Sequence, residues 1–298
     1  MAGDGAATIG RVPSTAVLGL GRAGRDLVHM LSAAGIPPCL AWRRGVGAAT
    51  VAGVAVAEGD LPSTIDAELI VLAVPDGAIG PLSARLSREA TLAADTAVLH
   101  LSGARPAAVI RDAGLRTYCG AMHPLQTLLG DGRPRLPFTW VLEGDPIAIA
   151  RAELLVGELA CDAVRLGAAG KVRYHAAATL AANHLVALAR VAERQLRLAG
   201  LPGDRLPSLF IPLMEAALAH VAREGTAAAL TGPLVRGDVD TVAGHLQVLG
   251  DSPADRDVYL ALGEILLELA EERGTDVESL GALRVLFDGA TCRPPKRG

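Results

Sequence analysis

The chain has 298 residues, enough for two domains of ordinary size. Apolar residues make up 51% but aromatics only 3%, so the core must be built from Ala, Leu and Val, which suits buried parallel strands and closely packed helices. Against 28 Lys and Arg stand 32 Asp and Glu, a net charge of −4 that leaves no basic surplus for nucleic acid.

Residues 1–13 are small and polar and read as a loose tail. Val17–Leu20 reads as a first strand running into Gly19-Leu20-Gly21-Arg22-Ala23-Gly24, and Arg22–Ala34 as the helix after it. Strand, Gly-x-Gly-x-x-Gly turn and helix form the context that a dinucleotide fingerprint requires. Gly19 makes the tight turn, Gly21 leaves room for a pyrophosphate, and Gly24 lets helix and strand pack closely. Gly35 and Pro37-Pro38 close the helix.

Cys39–Trp42 reads as the second strand, ending in Arg43-Arg44 with no acid. The end of this strand faces the adenosine ribose in nucleotide folds, and arginine there favours a 2′-phosphate. NADP is therefore the expected cofactor rather than NAD. Val54–Val56 is a third strand. Leu69–Val74 is the clearest buried strand, running into Pro75-Asp76-Gly77, so Val74 and Pro75 are expected along the cofactor crevice. Val98–Leu101 ends in Ser102-Gly103, where Ser102 either faces the nicotinamide side or caps the next helix.

Tyr118–Met122, Phe138–Leu142 and Ala163–Leu166 supply the remaining strands, with helix Pro146–Leu159 between the last two. This pattern predicts an open parallel sheet with helices on both faces. His123, just after a strand and followed by Pro124, is a candidate proton donor or acceptor. Gln126 and Thr127 are candidates to bind substrate.

From Gly170 the strand signals stop. Lys171–Ala199 reads as one alanine-rich helix roughly 45 Å long. Lys171 and His175 share a face of it, with Tyr174 beside them. Asn183 stands out as a poor helix-interior residue, serving either a site or neighbouring backbone. Further helices are expected from Pro207 to Arg223 and over Asp238–Leu249, Pro253–Arg273 and Thr275–Phe287, with a frayed tail Pro294–Gly298. In the turn Thr231–Asp238, Arg236 is a candidate for a substrate carboxylate or a phosphate, and Asp238 is a candidate helix cap. The expected domains are 14–168 and 169–290. The apolar helical faces suggest a homodimer.

Cys39, Cys119, Cys161 and Cys292 are far apart, so neither a disulfide framework nor a C-x-x-C site is expected. A reduced, cytoplasmic setting follows, with no secretion core and no bilayer-spanning run. The histidines and acids lack metal-ligand spacing.

Three segments carry a resemblance: Gly120-x-x-His123-Pro-Leu-Gln-Thr127, Tyr174-His175-Ala-Ala-Ala with Asn183, and Thr231-Gly-Pro-Leu-x-Arg236-Gly-Asp238. Together they resemble the family with a Rossmann-like domain followed by a DUF2520 domain. That family is similar to NADP-dependent pyrroline-5-carboxylate reductase, ketopantoate reductase, prephenate dehydrogenase and the 3-hydroxyacid dehydrogenases. The resemblance implies an all-helical second domain of the 6-phosphogluconate dehydrogenase C-terminal type, a dimer through that domain, and an NADP-dependent oxidoreductase acting on a small, anionic molecule. Hydroxyacid dehydrogenases and ketopantoate reductase place a catalytic Lys four residues before an Asn on the long helix. Here Thr179 stands four before Asn183, and Lys171 twelve before it. Either His123 or His175 replaces that lysine, or the protein is a non-catalytic NADP-binding sensor or scaffold.

Overall fold

The computed structural model describes residues 11–291. Residues 1–10 of the expected loose tail, Cys292 and the tail Pro294–Gly298 lie outside them. The described residues divide into two compact units, one up to His184 and one from Leu185.

In the first unit β1 (Thr15–Leu18) leads into α1 (Arg22–Ala33) and β2 (Leu40–Arg43). A short hairpin follows, β3 (Thr50–Val51) and β4 (Val54–Glu58). Its turn residues Ala52 and Gly53 both have positive φ, the conformation that a two-residue hairpin turn needs. Then come β5 (Thr64–Ile65), β6 (Leu69–Leu72), α2 (Asp76–Glu89), β7 (Thr91–Leu92), β8 (Ala97–His100) and α3 (Ala108–Asp112). The unit continues through β9 (Tyr118–Pro124), β10 (Thr139–Gly144), α4 (Pro146–Glu158), β11 (Asp162–Arg165) and α5 (Lys171–Thr179).

The described residues form one nine-stranded sheet in the order β11-β10-β9-β8-β6-β1-β2-β4-β3, and β5 pairs with β7 apart from it. Strand alternation decides which face each side chain enters. Val17, Leu69 and Val71 join Leu27, Val28 and Leu31 of α1 and Leu155 of α4 in one core. Ala16, Leu18, Ile70 and Leu72 join Ile79, Leu82 and Leu86 of α2 and Ile110 of α3 in the other. Each such fully buried aliphatic side chain contributes about 1.5–3 kcal/mol relative to exposure. The architecture is a Rossmann-like sheet between helical layers.

The sheet is not wholly parallel, as the strand–helix pattern had suggested. β9 and β10 pair antiparallel, with His123 opposite Val141. Parallel strands need a long crossover, usually a helix, whereas residues 125–138 form none. Gly130 and Gly132, at φ 78 and 74, turn this segment back as a loop.

The long helix is also not continuous. After α5, Leu180–His184 forms a π-helical turn before α6 (Leu185–Leu198). The Thr179 hydroxyl donates to the His175 carbonyl at 2.9 Å, and His184 Nδ1 lies 3.3 Å from the Thr179 carbonyl oxygen. Side chains competing for ladder carbonyls are a recognised cause of such bulges. The division between the compact units falls after this turn.

The second unit holds α6, α7 (Leu206–Glu224), α8 (Thr226–Ala229), α9 (Val239–Leu249), α10 (Pro253–Glu272) and α11 (Val277–Thr291). Its core joins Val242 and Leu246 of α9, Leu260 and Leu267 of α10, and Leu283 and Phe287 of α11. Asp238 caps α9, accepting from Thr241 N at 3.1 Å. Among the described residues no helix is long and apolar enough to cross a membrane.

Candidate functional site

The buried β1 ends in the glycine turn. Gly19 has φ +104, and a Cβ there would stand 2.5 Å from the Ala73 carbonyl oxygen, so only glycine serves. A Cβ on Gly24 would stand 2.0 Å from the Gly19 carbonyl oxygen, which fixes how closely α1 approaches the turn. Leu20 and Ala23 pack against the core. Gly21 differs from its neighbours: nothing lies within 4 Å of where its Cβ would project. It is the N-cap of α1, where no side chain caps the helix and no acid stands in the first turn. Open space before an uncapped helix N-terminus suits a phosphate group.

That turn forms one wall of a cleft of about 350 Å³. Gly21, Arg22 and Ala23 stand on one side, with Val74, Pro75 and Asp76 after β6. Ser102, His123, Gln126 and Leu128 complete it. All the strands concerned reach the cleft by their carboxyl ends, where open α/β sheets bind ligands. Ser102 does not cap α3, whose N-cap is Ala107 without a side-chain bond; its hydroxyl instead holds the bend before that helix. Ser102 lines the cleft and donates from Oγ to Asp76 Oδ2 at 2.9 Å, while accepting from Ala104 N and Arg105 N. Asp76 was missed by sequence reasoning, although its place just after a strand-ending proline marks it.

Behind Ser102 stand two buried groups. His100 accepts from Ser102 N at Nδ1 and bonds the Pro106 carbonyl through Nε2, so its proton is on Nε2. Burial pushes its pKa down to about 4. Lys171 is only 2% exposed and donates to the Ser102 carbonyl at 3.1 Å. Burial lowers its pKa, opposed by the charges of Glu143 and Asp76. Lys171 thus braces the serine loop and lies outside the cleft lining.

Lys171, Tyr174 and His175 come to one face of α5 by their three- and four-residue spacing. His123 Nδ1 lies 2.6 Å from the Tyr174 hydroxyl, the two rings edge to face. His175 meets His123 edge-on, ring centres 5.7 Å apart. Both imidazoles rest on Gly103, whose Cβ would stand 2.5 Å from His175 Nδ1 and 2.9 Å from His123 Nε2. His175 Nδ1 is buried and has no hydrogen-bond partner among the described residues. Burial, then the neighbouring His175 and Lys171, push the His123 pKa down to about 4, and burial pushes Tyr174 up to about 12. Near neutral pH the His123 and Tyr174 rings are both uncharged.

The other expected residues fall elsewhere. Gln126 lines the cleft, but its amide serves its own loop, donating to the Arg135 carbonyl at 3.2 Å and accepting from Thr127 N at 2.8 Å. Thr127 is exposed beside it. Asn183 is exposed on the π-helical turn rather than buried. Arg236, in the second unit, is exposed and lies 3.8 Å from Asp238.

β2 itself ends without an acid, but the neighbouring strand brings one beside it. Arg43 is in register with Glu58 at the end of β4, and the two form an ion pair. Arg43 also donates to the Ala48 carbonyl at 2.8 Å, lying over Gly47. Its hydrogen bond to Glu58 holds that carboxyl below the usual range. Arg44 is exposed.

Residues 138–265 match the domain of unknown function DUF2520. The DUF2520 match contributes Lys171, Tyr174 and His175, whereas the glycine turn, Ser102 and His123 precede it. No curated protein sequence matches significantly. Solved structures do show the same fold. Protein TM1727 of Thermotoga maritima is 22% identical with a TM-score of 0.66, covering 87% of this chain and 99% of that one. BF3122 of Bacteroides fragilis is 19% identical with a TM-score of 0.69, covering 89% and 100%. A reductive aminase of Aspergillus terreus, in complex with NADPH and ethyl levulinate, is 16% identical with a TM-score of 0.57, covering 94% of each chain.

Proposed function

We propose that this protein is an NADP(H)-dependent oxidoreductase that passes hydride between nicotinamide and a small carbonyl, alcohol or imine substrate. One observation carries the reading: the open glycine turn at the N-terminus of α1 shares a single cleft with Ser102 and His123. When bound, the nicotinamide supplies or takes the hydride. Gly21 and the free N–H groups of α1 would hold the phosphates, and Arg44 the 2′-phosphate. Val74 and Pro75 would line the cofactor, and Ser102 with Asp76 would orient polar groups beside it. His123 would handle the proton that accompanies hydride transfer. Arg236, exposed in the helical unit, would serve an anionic group. The presence of NADPH in the Aspergillus reductive aminase of the same fold supports the cofactor.

A homodimer through the helical unit belongs to the same proposal. Val186 of α6 and Leu213 of α7 are 71% and 72% exposed, and Leu185, Ile211, Met214 and Leu218 form an apolar groove. Large apolar surface of this kind marks an interaction face.

The test is calorimetric titration with NADPH, NADP, NADH and NAD, followed by NADPH oxidation with pyruvate, cyclohexanone and 1-pyrroline. Tight NADP(H) binding with turnover of a probe is expected. Binding without turnover of a wider carbonyl and imine panel would turn the reading to an NADP sensor. Binding of none of the four nucleotides would overturn it.

A further inference from the structure

We propose that Tyr174 fixes His123 in the tautomer with its proton on Nε2, and refills that nitrogen after its proton has passed to the reduced substrate. The inference rests on the hydride-transfer reading for its second half only. Its first half concerns the protein alone.

The geometry sets the tautomer. The Tyr174 hydroxyl lies 2.6 Å from His123 Nδ1 and, among the described residues, bonds no other acceptor. A half-buried phenol keeps its proton and needs an acceptor for it. Donating to Nδ1 leaves the imidazole proton on Nε2. Nε2 faces Gly103, and His123 lines the cleft. The ring faces His175 and Lys171 on α5, Asp76 at the start of α2 and His100 at the end of β8. Burial first, then His175 and Lys171, oppose a positive charge on His123, and Asp76 only partly offsets them. A proton transfer that keeps the ring uncharged avoids that penalty.

The relay does so. As the reduced substrate forms its new O–H or N–H bond, the Nε2–H bond of His123 breaks. At the same time the Tyr174 O–H bond breaks and an Nδ1–H bond forms. The imidazole is neutral before and after, and the negative charge moves from the substrate to the phenolate oxygen. A proton from water then reaches Nε2 as product leaves, and the Nδ1 proton returns to Tyr174. Tyr174 acts through His123 and is a positioning residue. The hydride donor is the NADPH of the proposed reaction, and water supplies the proton that resets the pair.

Tyr174→Phe keeps the ring and removes only the hydroxyl, so the fold is retained. In the free protein labelled with ¹⁵N-histidine, long-range ¹⁵N–¹H spectra should show His123 protonated on Nε2. In Tyr174→Phe the two tautomers should mix. In NADPH oxidation with the probes above, the variant should lose about 10²-fold in kcat with KM held within about twofold. A wild-type His123 protonated on Nδ1, an unchanged tautomer in the variant, or an unchanged kcat would each overturn the proposal. Unoxidised NADPH with every probe, together with the expected spectra, would support the pairing and count against the hydride-transfer reading.

Discussion

Arg43 and Glu58 end neighbouring parallel strands in register and neutralise each other. That leaves Arg44 as the exposed cation of the pair expected to meet a 2′-phosphate. Arg44→Ala should therefore weaken NADPH binding about 10-fold while NADH changes by less than about twofold. Glu58→Gln should act in the opposite sense, because it frees the Arg43 charge beside the same phosphate and tightens NADPH alone. Calorimetric titration of both variants with both nucleotides checks this. An unchanged NADPH-to-NADH ratio in Arg44→Ala would remove that residue from the role.

Gly21 and Gly24 belong to one motif but should fail in different ways. A Cβ on Gly24 meets the Gly19 carbonyl oxygen at 2.0 Å, whereas one on Gly21 meets nothing within 4 Å. Gly24→Ala should cost about 1–3 kcal/mol of stability, the usual penalty for overpacking. Gly21→Ala should unfold at the wild-type midpoint yet bind NADPH at least about 10-fold more weakly, because the methyl enters space reserved for the pyrophosphate. Denaturant unfolding and calorimetry separate the two. Full NADPH affinity in Gly21→Ala would mean that the space serves another purpose.

These contrasts show what local sequence could and could not disclose. The glycine turn and Leu69–Leu72 were legible because their signals lie within a few consecutive residues. Lys171 and Tyr174 shared a helical face by spacing, but their partners Ser102 and His123 are 69 and 51 residues away. Glu58 was invisible as the partner of Arg43, because only strand order brings β4 beside β2. The antiparallel return at β10 and the π-helical turn followed from a loop without a helix and from side chains of Thr179 and His184, neither of which alters apolar periodicity.

His100 makes the first unit acid-sensitive. Its ring is fully buried and its pKa is about 4, against about 6.5 when unfolded. Between those values the unfolded chain binds more protons, so stability rises with pH there. The neutral ring's contribution is complete above pH 6.5 and fades as pH falls through that window towards 4. The difference amounts to about 3 kcal/mol. Denaturant unfolding at several pH values should show the loss, and the His100 ring resonances should titrate near pH 4. A midpoint near 6.5 would remove His100 as the cause.

Asp26 pins the loop that carries Gln126 and Leu128. Its carboxylate, wholly buried in α1, accepts from Gly130 N and Gly132 N, both at 2.8 Å. Both glycines must be free of side chains there. A Cβ on Gly130 would stand 2.9 Å from Arg22 Cα, and one on Gly132 2.8 Å from the His29 ring. The loop therefore lies along α1, and its first turn forms part of the cleft wall. Asp26→Ala leaves two amides without their charged acceptor, which should cost about 3 kcal/mol. The amides of Gly130 and Gly132 should lose their protection from hydrogen exchange first, and NADPH affinity should fall as Gln126 and Leu128 lose their fixed place. Asp26→Asn keeps one acceptor oxygen and should retain part of the protection at one of the two amides. Wild-type exchange at both glycines in Asp26→Ala would show that packing on α1, rather than the carboxylate, holds the loop.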